Sequence, residues 1–161
     1  MKLATQIFNI ITEDEASELQ TYKLSKRSSD FSNPLINKVA NKYMEVLNTK
    51  FELQHPSYWV VESKAIGHDW HYDGCKEVDG KLVDNHMCWC KYGSSILISN
   101  PEDFTGGELW FKEGDYMEKV ENHYLSGAIY PAGKDMKPSL HLASGHQGKR
   151  KVLLMFFELC Q

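Results

Sequence analysis

The stretch "GHDWHYDG" at positions 67–74 sets two histidines and two aspartates among aromatics and glycines, residue types that bind metal ions and carry protons. If 71–73 runs as a strand, side chains two apart share a face, so His71 and Asp73 aim an imidazole and a carboxylate at one point while Tyr72 turns away. His68 and His71, three apart, then fall on opposite faces, and their HxxH spacing makes no zinc site. One imidazole and one carboxylate leave an ion under-coordinated, so another ligand must come from a distant segment. "KPSLHLASGHQGKRK" near the C-terminus offers two: His141 in a short strand-like run and His146 in the glycine-flanked connection that follows.

Two histidines and one carboxylate on one face of a metal, with the other positions open, is the arrangement of non-haem iron(II) oxygenases, in which the open positions admit a co-substrate and dioxygen. A closed structural zinc site would need four protein ligands, commonly thiolates in paired CxxC motifs. The four cysteines, Cys75, Cys88, Cys90 and Cys160, form no such pairs and are too few and too unevenly spaced for a disulfide framework. They are expected as reduced thiols. "CWC" at 88–90 puts two thiols on one strand face, where free cysteine behaves as a small buried hydrophobe. Trp70, Trp89 and Trp110 read as core or barrel-rim packing, with a share in a substrate groove open to one or two of them.

The elements that must position these residues change character along the chain. Thr12 and Glu15 have the form of a capping box, and Asp30 to Asn33 lead into Pro34, whose fixed φ suits a first helical position. Ile36, Val39, Ala40, Tyr43 and Leu47 then recur at three- and four-residue steps, an apolar stripe on a helix of about four turns. From about residue 57 the text breaks into short β-branched and aromatic runs bounded by Gly, Pro, Asn or Asp: "SYWVVESKAI", "HMCWCKYGSSILIS", "GELWFK", "GAIYPAG" and "KVLLMFFEL". Asp79-Gly80 sits between matched arms as a hairpin turn. The expectation is one domain over 1–161, mainly β: a helical part at about 12–50, its two helices packed on an antiparallel barrel or sandwich at about 57–160.

Composition removes other classes. The 161 residues are 42% hydrophobic, and 22 acidic against 18 basic side chains give a formal charge of −4 without long runs of either sign. That pattern offers no grip on a phosphate backbone, so nucleic acid is not expected as a partner. The N-terminal apolar stretch is broken by Thr, Gln and Asn and lacks the form of a secretory signal, and no run approaches a membrane span. A cytoplasmic protein is expected; oligomeric state leaves no mark in the sequence.

Outward from the HxD, "HYDG", "SSILISNPEDFTGGELWF", "SGAIYPAG" and "LHLASGHQGKRKVLLMFF" resemble, in order and approximate spacing, the prolyl 4-hydroxylase-like 2-oxoglutarate and iron(II)-dependent oxygenases. The resemblance covers roughly residues 57–159. It implies a double-stranded β-helix, or jelly roll, with helices against one sheet. It also implies metal ligands His71, Asp73 and His141, and a 2-oxoglutarate carboxylate anchor at Arg150, nine positions past His141. A planar guanidinium suits that anchoring, because it holds a carboxylate through two parallel hydrogen bonds. Alternation with Val152, Leu154 and Phe156 gives Arg150 one defined face of the last strand.

The reaction implied consumes 2-oxoglutarate and dioxygen at Fe(II), with ascorbate as an accessory reductant, and hydroxylates an unactivated C–H bond as succinate and carbon dioxide leave. Family likeness points to a prolyl residue in a peptide or protein, with a free amino acid or other small molecule as the alternative substrate. A non-catalytic metal-binding jelly roll is the reading from another class. The chain departs from the family's pattern in having Val61 and Glu62 where a tyrosine often precedes the HxD, and no tyrosine in "SSILISN". Tyr58, Tyr92 and Ser94 are the hydroxyls left to complete the 2-oxoglutarate pocket. No Pro-Val follows His141, which keeps His146 as a rival third ligand.

Overall fold

The computed structural model describes residues 2–55 and 57–160. Strand β1 (Thr5–Ile7) precedes two helices, α1 (Glu13–Gln20) and α2 (Pro34–Leu47). Strands β2 (Phe51–Glu52), β3 (Tyr58–Glu62) and β4 (His68–His71) follow, then the hairpin β5 (Cys75–Val78) and β6 (Lys81–Asp84). The remaining strands are β7 (Tyr92–Leu97), β8 (Phe104–Gly106), β9 (Leu109–Glu113), β10 (Tyr116–Val120), β11 (Gly127–Pro131), β12 (Leu140–Ala143), β13 (His146–Gly148) and β14 (Lys151–Leu159).

The helices begin where the side chains dictate. Thr12 Oγ1 accepts from the Glu15 amide at 3.1 Å while Glu15 Oε1 accepts from the Thr12 amide at 2.9 Å, which satisfies two otherwise orphaned donors. Asn33 caps α2 ahead of Pro34, and Asn48 closes it in the left-handed region at φ 49°. Leu35, Ile36, Val39, Ala40 and Tyr43 of α2 are buried against Ile96, Ile129, Leu153, Met155 and Phe157 of the sheet beneath. Each such aliphatic removed from water contributes about 1.5–3 kcal/mol, so this contact fixes the helices on that face.

Two antiparallel sheets form the jelly roll. The larger runs β1-β11-β7-β14, with β3 and β2 both pairing with β14; the smaller runs β10-β9-β12-β4. Strand alternation divides the larger sheet cleanly. Leu153, Met155 and Phe157 of β14 join the helices, whereas Val152, Leu154 and Phe156 face the space between the sheets. The 79–80 turn links β5 to β6 with both residues at positive φ, 51° and 77°, as two-residue hairpins require.

The expected helical part at about 12–50 is preceded by a strand that the sequence reading did not include. Residues 5–7 add β1 to the edge of the larger sheet beside β11, too short a segment to show a period. Among the described residues no helix is long and apolar enough to cross a membrane.

Candidate metal centre

The smaller sheet brings the histidines together by register. His71 on β4 and His141 on β12 are direct cross-strand partners, and their rings lie 4.3 Å apart. The next pair is Ala143 with His68, so three residues of β4 span two of β12. That extra residue is a β-bulge, which re-aims side chains on the bulged strand. The bulge corrects the expectation for His68: its ring is 6.1 Å from that of His71, where strict alternation would separate the two. Gly67 opens the strand at φ 76°, and a Cβ there would stand 2.2 Å from the Ala143 carbonyl. Only glycine fits.

Asp73 stands beyond the end of β4, so its aim is set by backbone anchoring instead of strand alternation. The Gly74 amide donates to the Ala132 carbonyl at 3.0 Å, and Asn85 Nδ2 donates to the carbonyls of Asp73 at 3.1 Å and Cys75 at 3.2 Å. The result is convergence. Asp73 Oδ1 lies 3.4 Å from Nε2 of both His71 and His141, and one ligand atom from each residue falls within 4.8 Å of the others. His71 Nδ1 is 2.7 Å from the Asp69 carbonyl and His141 Nδ1 is 3.0 Å from the Ser139 carbonyl. A carbonyl can only accept, so each Nδ1 carries a proton, and an Nε2 that gives up its own proton turns a lone pair inward for a metal. Such backbone bonds orient metal-ligating histidines.

Tyr130 of β11 completes the centre, and no sequence argument had singled it out. Its hydroxyl donates to Asp73 Oδ2 at 2.8 Å, which leaves Oδ1 as the free carboxylate oxygen facing the imidazoles. Burial by itself would push the Asp73 carboxyl up. The His141 charge, together with hydrogen bonds from His141, His71 and Tyr130, reverses this and holds it well below the usual carboxylate range. The hydrogen bond to Asp73 raises His71 against its partial burial, helped by the Asp69 carbonyl. Burial and the neighbouring Asp73 carboxylate keep the Tyr130 hydroxyl protonated far above its ordinary value. The rings of Tyr130 and Phe111 pack on His141 at 4.5 and 5.6 Å, giving the donors a partly apolar wall.

Arg150, just ahead of β14, is 5% exposed. Its Nη1 donates to Ser63 Oγ at 3.2 Å, and its buried Nε has no hydrogen-bond partner among the described residues. Burial lowers its pKa to about 10, with Glu108 opposing, so the guanidinium stays charged at neutral pH. A buried cation with an unused donor fits an anion. Arg150 lines a cleft with Ser95 and Leu97 of β7, Ala128 of β11 and Leu109 of β9. Gly93, in the same inward-facing row of β7, abuts the other end of the system: a Cβ there would lie 2.3 Å from Asp73 Oδ2 and 2.8 Å from the Tyr130 ring. From Gly93 to Leu97 the row spans about 13 Å. The donor set therefore fits a ferrous ion, and Arg150 with its cleft fits the far carboxylate of a dicarboxylate.

The other sequence candidates lie elsewhere. Tyr58 faces the helices and donates to the Asp30 carbonyl at 2.9 Å. Tyr92 packs against Phe51 in the same layer, and Ser94 donates to the Met155 carbonyl at 3.1 Å. None of the three reaches the cleft; Ser95, one position on, does. His146 of β13 pairs with Gly106 and packs edge-on to Phe104, outside the cluster of donors. Cys88 is exposed and Cys90 buried, and neither belongs to that cluster.

The sequence matches no family model and no curated protein. Solved structures do match. A viral collagen prolyl hydroxylase from Paramecium bursaria chlorella virus-1, solved with 2-oxoglutarate, aligns at TM-score 0.62 and 12% identity over 99% of this chain and 97% of that one. An oxidoreductase of the 2-oxoglutarate-Fe(II) oxygenase family from Burkholderia pseudomallei aligns at 0.64 and 11%, covering 97% and 84%. A prolyl hydroxylase from Trichoplax adhaerens, in complex with a peptide fragment of hypoxia inducible factor, aligns at 0.60 and 10%, covering 97% and 84%. The chain thus has the jelly-roll fold of prolyl 4-hydroxylases and 2-oxoglutarate/Fe(II) oxygenases.

Proposed function

We propose that this protein is a 2-oxoglutarate- and Fe(II)-dependent oxygenase that hydroxylates an unactivated C–H bond, with a prolyl residue of a peptide as the substrate. The observation that carries the reading is the convergence of two Nε2 atoms and Asp73 Oδ1, with both Nδ1 protons held by backbone carbonyls. Two neutral imidazoles and one carboxylate on one side leave the far side open, as oxygen chemistry at iron requires. Bound there, Fe(II) with 2-oxoglutarate and dioxygen supplies the oxidising chemistry: the co-substrate becomes succinate and carbon dioxide, and one oxygen atom goes to succinate and one to the substrate.

The chain's own residues do the positioning. His71 and His141 present Nε2, while Tyr130 holds Asp73 by Oδ2 so that Oδ1 is offered. Arg150 takes the distal carboxylate of 2-oxoglutarate through its unused Nε and the second edge of its fork. Phe111 and the Tyr130 ring shield His141 from water, while the His71 side chain stays 42% exposed. A non-catalytic metal module would have no use for a buried, unsatisfied arginine at the end of the cleft. The prolyl peptide is supported by the fold shared with two prolyl hydroxylases, one of them solved with a peptide.

Purified protein given Fe(II), ascorbate, 2-oxoglutarate and air should form succinate, more with a proline-rich peptide that gains the mass of one oxygen atom. Asp73→Ala should stop both. Succinate formation undiminished in Asp73→Ala, or none from wild type at any 2-oxoglutarate concentration, would overturn the proposal.

A further inference from the structure

The chain has two arginines, Arg27 and Arg150, and neither forms an ion pair with a carboxylate among the described residues. Arg150 closes the cleft. Arg27 lies in a strap (residues 23–30) that crosses the open edge of β3. The strap is fastened by backbone bonds between Ser28 and Tyr58 and by Trp59 Nε1 donating to the Leu24 carbonyl at 3.0 Å. From it the Arg27 guanidinium stacks over the Phe156 ring, 4.9 Å from the centroid, and among the described residues its Nη1 donates only to the weak acceptor Met87 Sδ, at 2.9 Å.

Phe156 ties Arg27 to the centre. It is the cross-strand partner of Gly93, and paired residues point their side chains to one side; on that side Gly93 abuts Asp73 Oδ2. Phe156 also packs with Cys90 and Ala132, and the Ala132 carbonyl receives the Gly74 amide next to Asp73. The Cys90 thiol feels both the Asp73 and the Arg27 charge. Lys91 and Lys134, by contrast, have acidic partners: Lys91 with Asp135 at 2.9 Å, Lys134 with Asp84 at 3.2 Å. Asp30, the one acid of the strap, is taken by the amide and hydroxyl of Ser32.

We propose that Arg27 receives a carboxylate of the molecule to be oxidised, so that the site holds two carboxylate-bearing molecules, the co-substrate against Arg150 and the substrate against Arg27. This rests on the oxygenase reading. Charge favours a carboxylate over a phosphate. Fe(II), Asp73, doubly ionised 2-oxoglutarate and Arg150 are together formally neutral, so a singly charged group balances Arg27, whereas a dianion would leave excess negative charge beside Asp73. The planar fork also matches a carboxylate edge to edge.

The carboxylate can belong to a free amino acid or to an acidic residue of a peptide, and matched probes separate the two. Binding of L-proline against L-prolinamide, and of N-acetyl-Pro-Glu-amide against N-acetyl-Pro-Gln-amide, is measured anaerobically by calorimetry, with and without Fe(II) and 2-oxoglutarate. Wild type should prefer the acid of at least one pair by roughly 10- to 100-fold, the value of a charge-assisted bond, and that pair identifies the source. Arg27→Gln and Arg27→Met, the latter keeping an apolar stem over Phe156, should shrink the preference to within about twofold, and Arg27→Lys should fall between. No preference in either pair, or one that survives in both neutral variants, overturns the assignment of Arg27. Failure of 2-oxoglutarate to bind in the same cell strikes the oxygenase reading instead.

Discussion

Tyr130 and Asp73 share a 2.8 Å hydrogen bond in a buried setting, and its effect reaches the donor atom. With Oδ2 engaged, Oδ1 can turn only toward the two imidazoles. Tyr130→Phe keeps the ring against Phe111 and His141 but frees the carboxylate, and outer-sphere losses of this kind cost about 10–100-fold in metal affinity. Calorimetric Fe(II) titration should show that drop with an unchanged circular dichroism spectrum; equal affinity would mean that Tyr130 only fills space. His71 supplies a second residue-scale expectation. Its pKa is raised above 6.5 by Asp73, so in the metal-free protein their pairing stabilises the fold fully below pH 6.5 and is lost as pH rises through the raised value. A metal must displace that proton. Apparent Fe(II) affinity should therefore begin to fall on acidification while the pH is still above 6.5, and flat affinity between pH 8 and 6 would contradict the pairing.

At the scale of elements, β7 governs how close the larger sheet comes to the ligands. Gly93 leaves the space that Asp73 and Tyr130 occupy, and a Cβ would fall 2.3 Å from Asp73 Oδ2. Gly93→Ala should displace Asp73 and weaken Fe(II) binding at least as far as Tyr130→Phe does; wild-type affinity in that variant would show that the strand yields freely. Strand β7 also shows where sequence reading stops. Arg150 was placed on the correct face because it continues a long apolar alternation through Val152, Leu154 and Phe156. "YGSSIL" puts small and apolar residues in both of its alternating rows, so neither row is marked as the inward one; Tyr92 and Ser94 fall on the helix side, and Gly93 and Ser95 face inward. The bulge in β4 comes from pairing with β12 and the place of Asp73 past its end from the Gly74–Ala132 backbone bond, which a single strand's sequence does not encode. "GAIYPAG" was legible as a strand, but the partner of Tyr130 depends on the same inter-strand register.

For the whole molecule, the jelly roll collects residues from 71 to 150 into one inward-facing system, with α1 and α2 stiffening the opposite face of the larger sheet. The fold class was legible because capping box, apolar stripe and β runs all agreed, whereas β1 was too short to read. The fold gives the histidines, Asp73 and Arg150 separate supports, so losing one ligand should empty the centre without melting the chain. Fe(II) binding, counted anaerobically by calorimetry, tests this most directly. One ion per chain is predicted for wild type and for His146→Ala, and since loss of an outer-sphere partner alone costs about 10–100-fold, Asp73→Ala and His141→Ala should lose more than that. Undiminished stoichiometric binding by either of those two, or its loss in His146→Ala, would contradict the centre described.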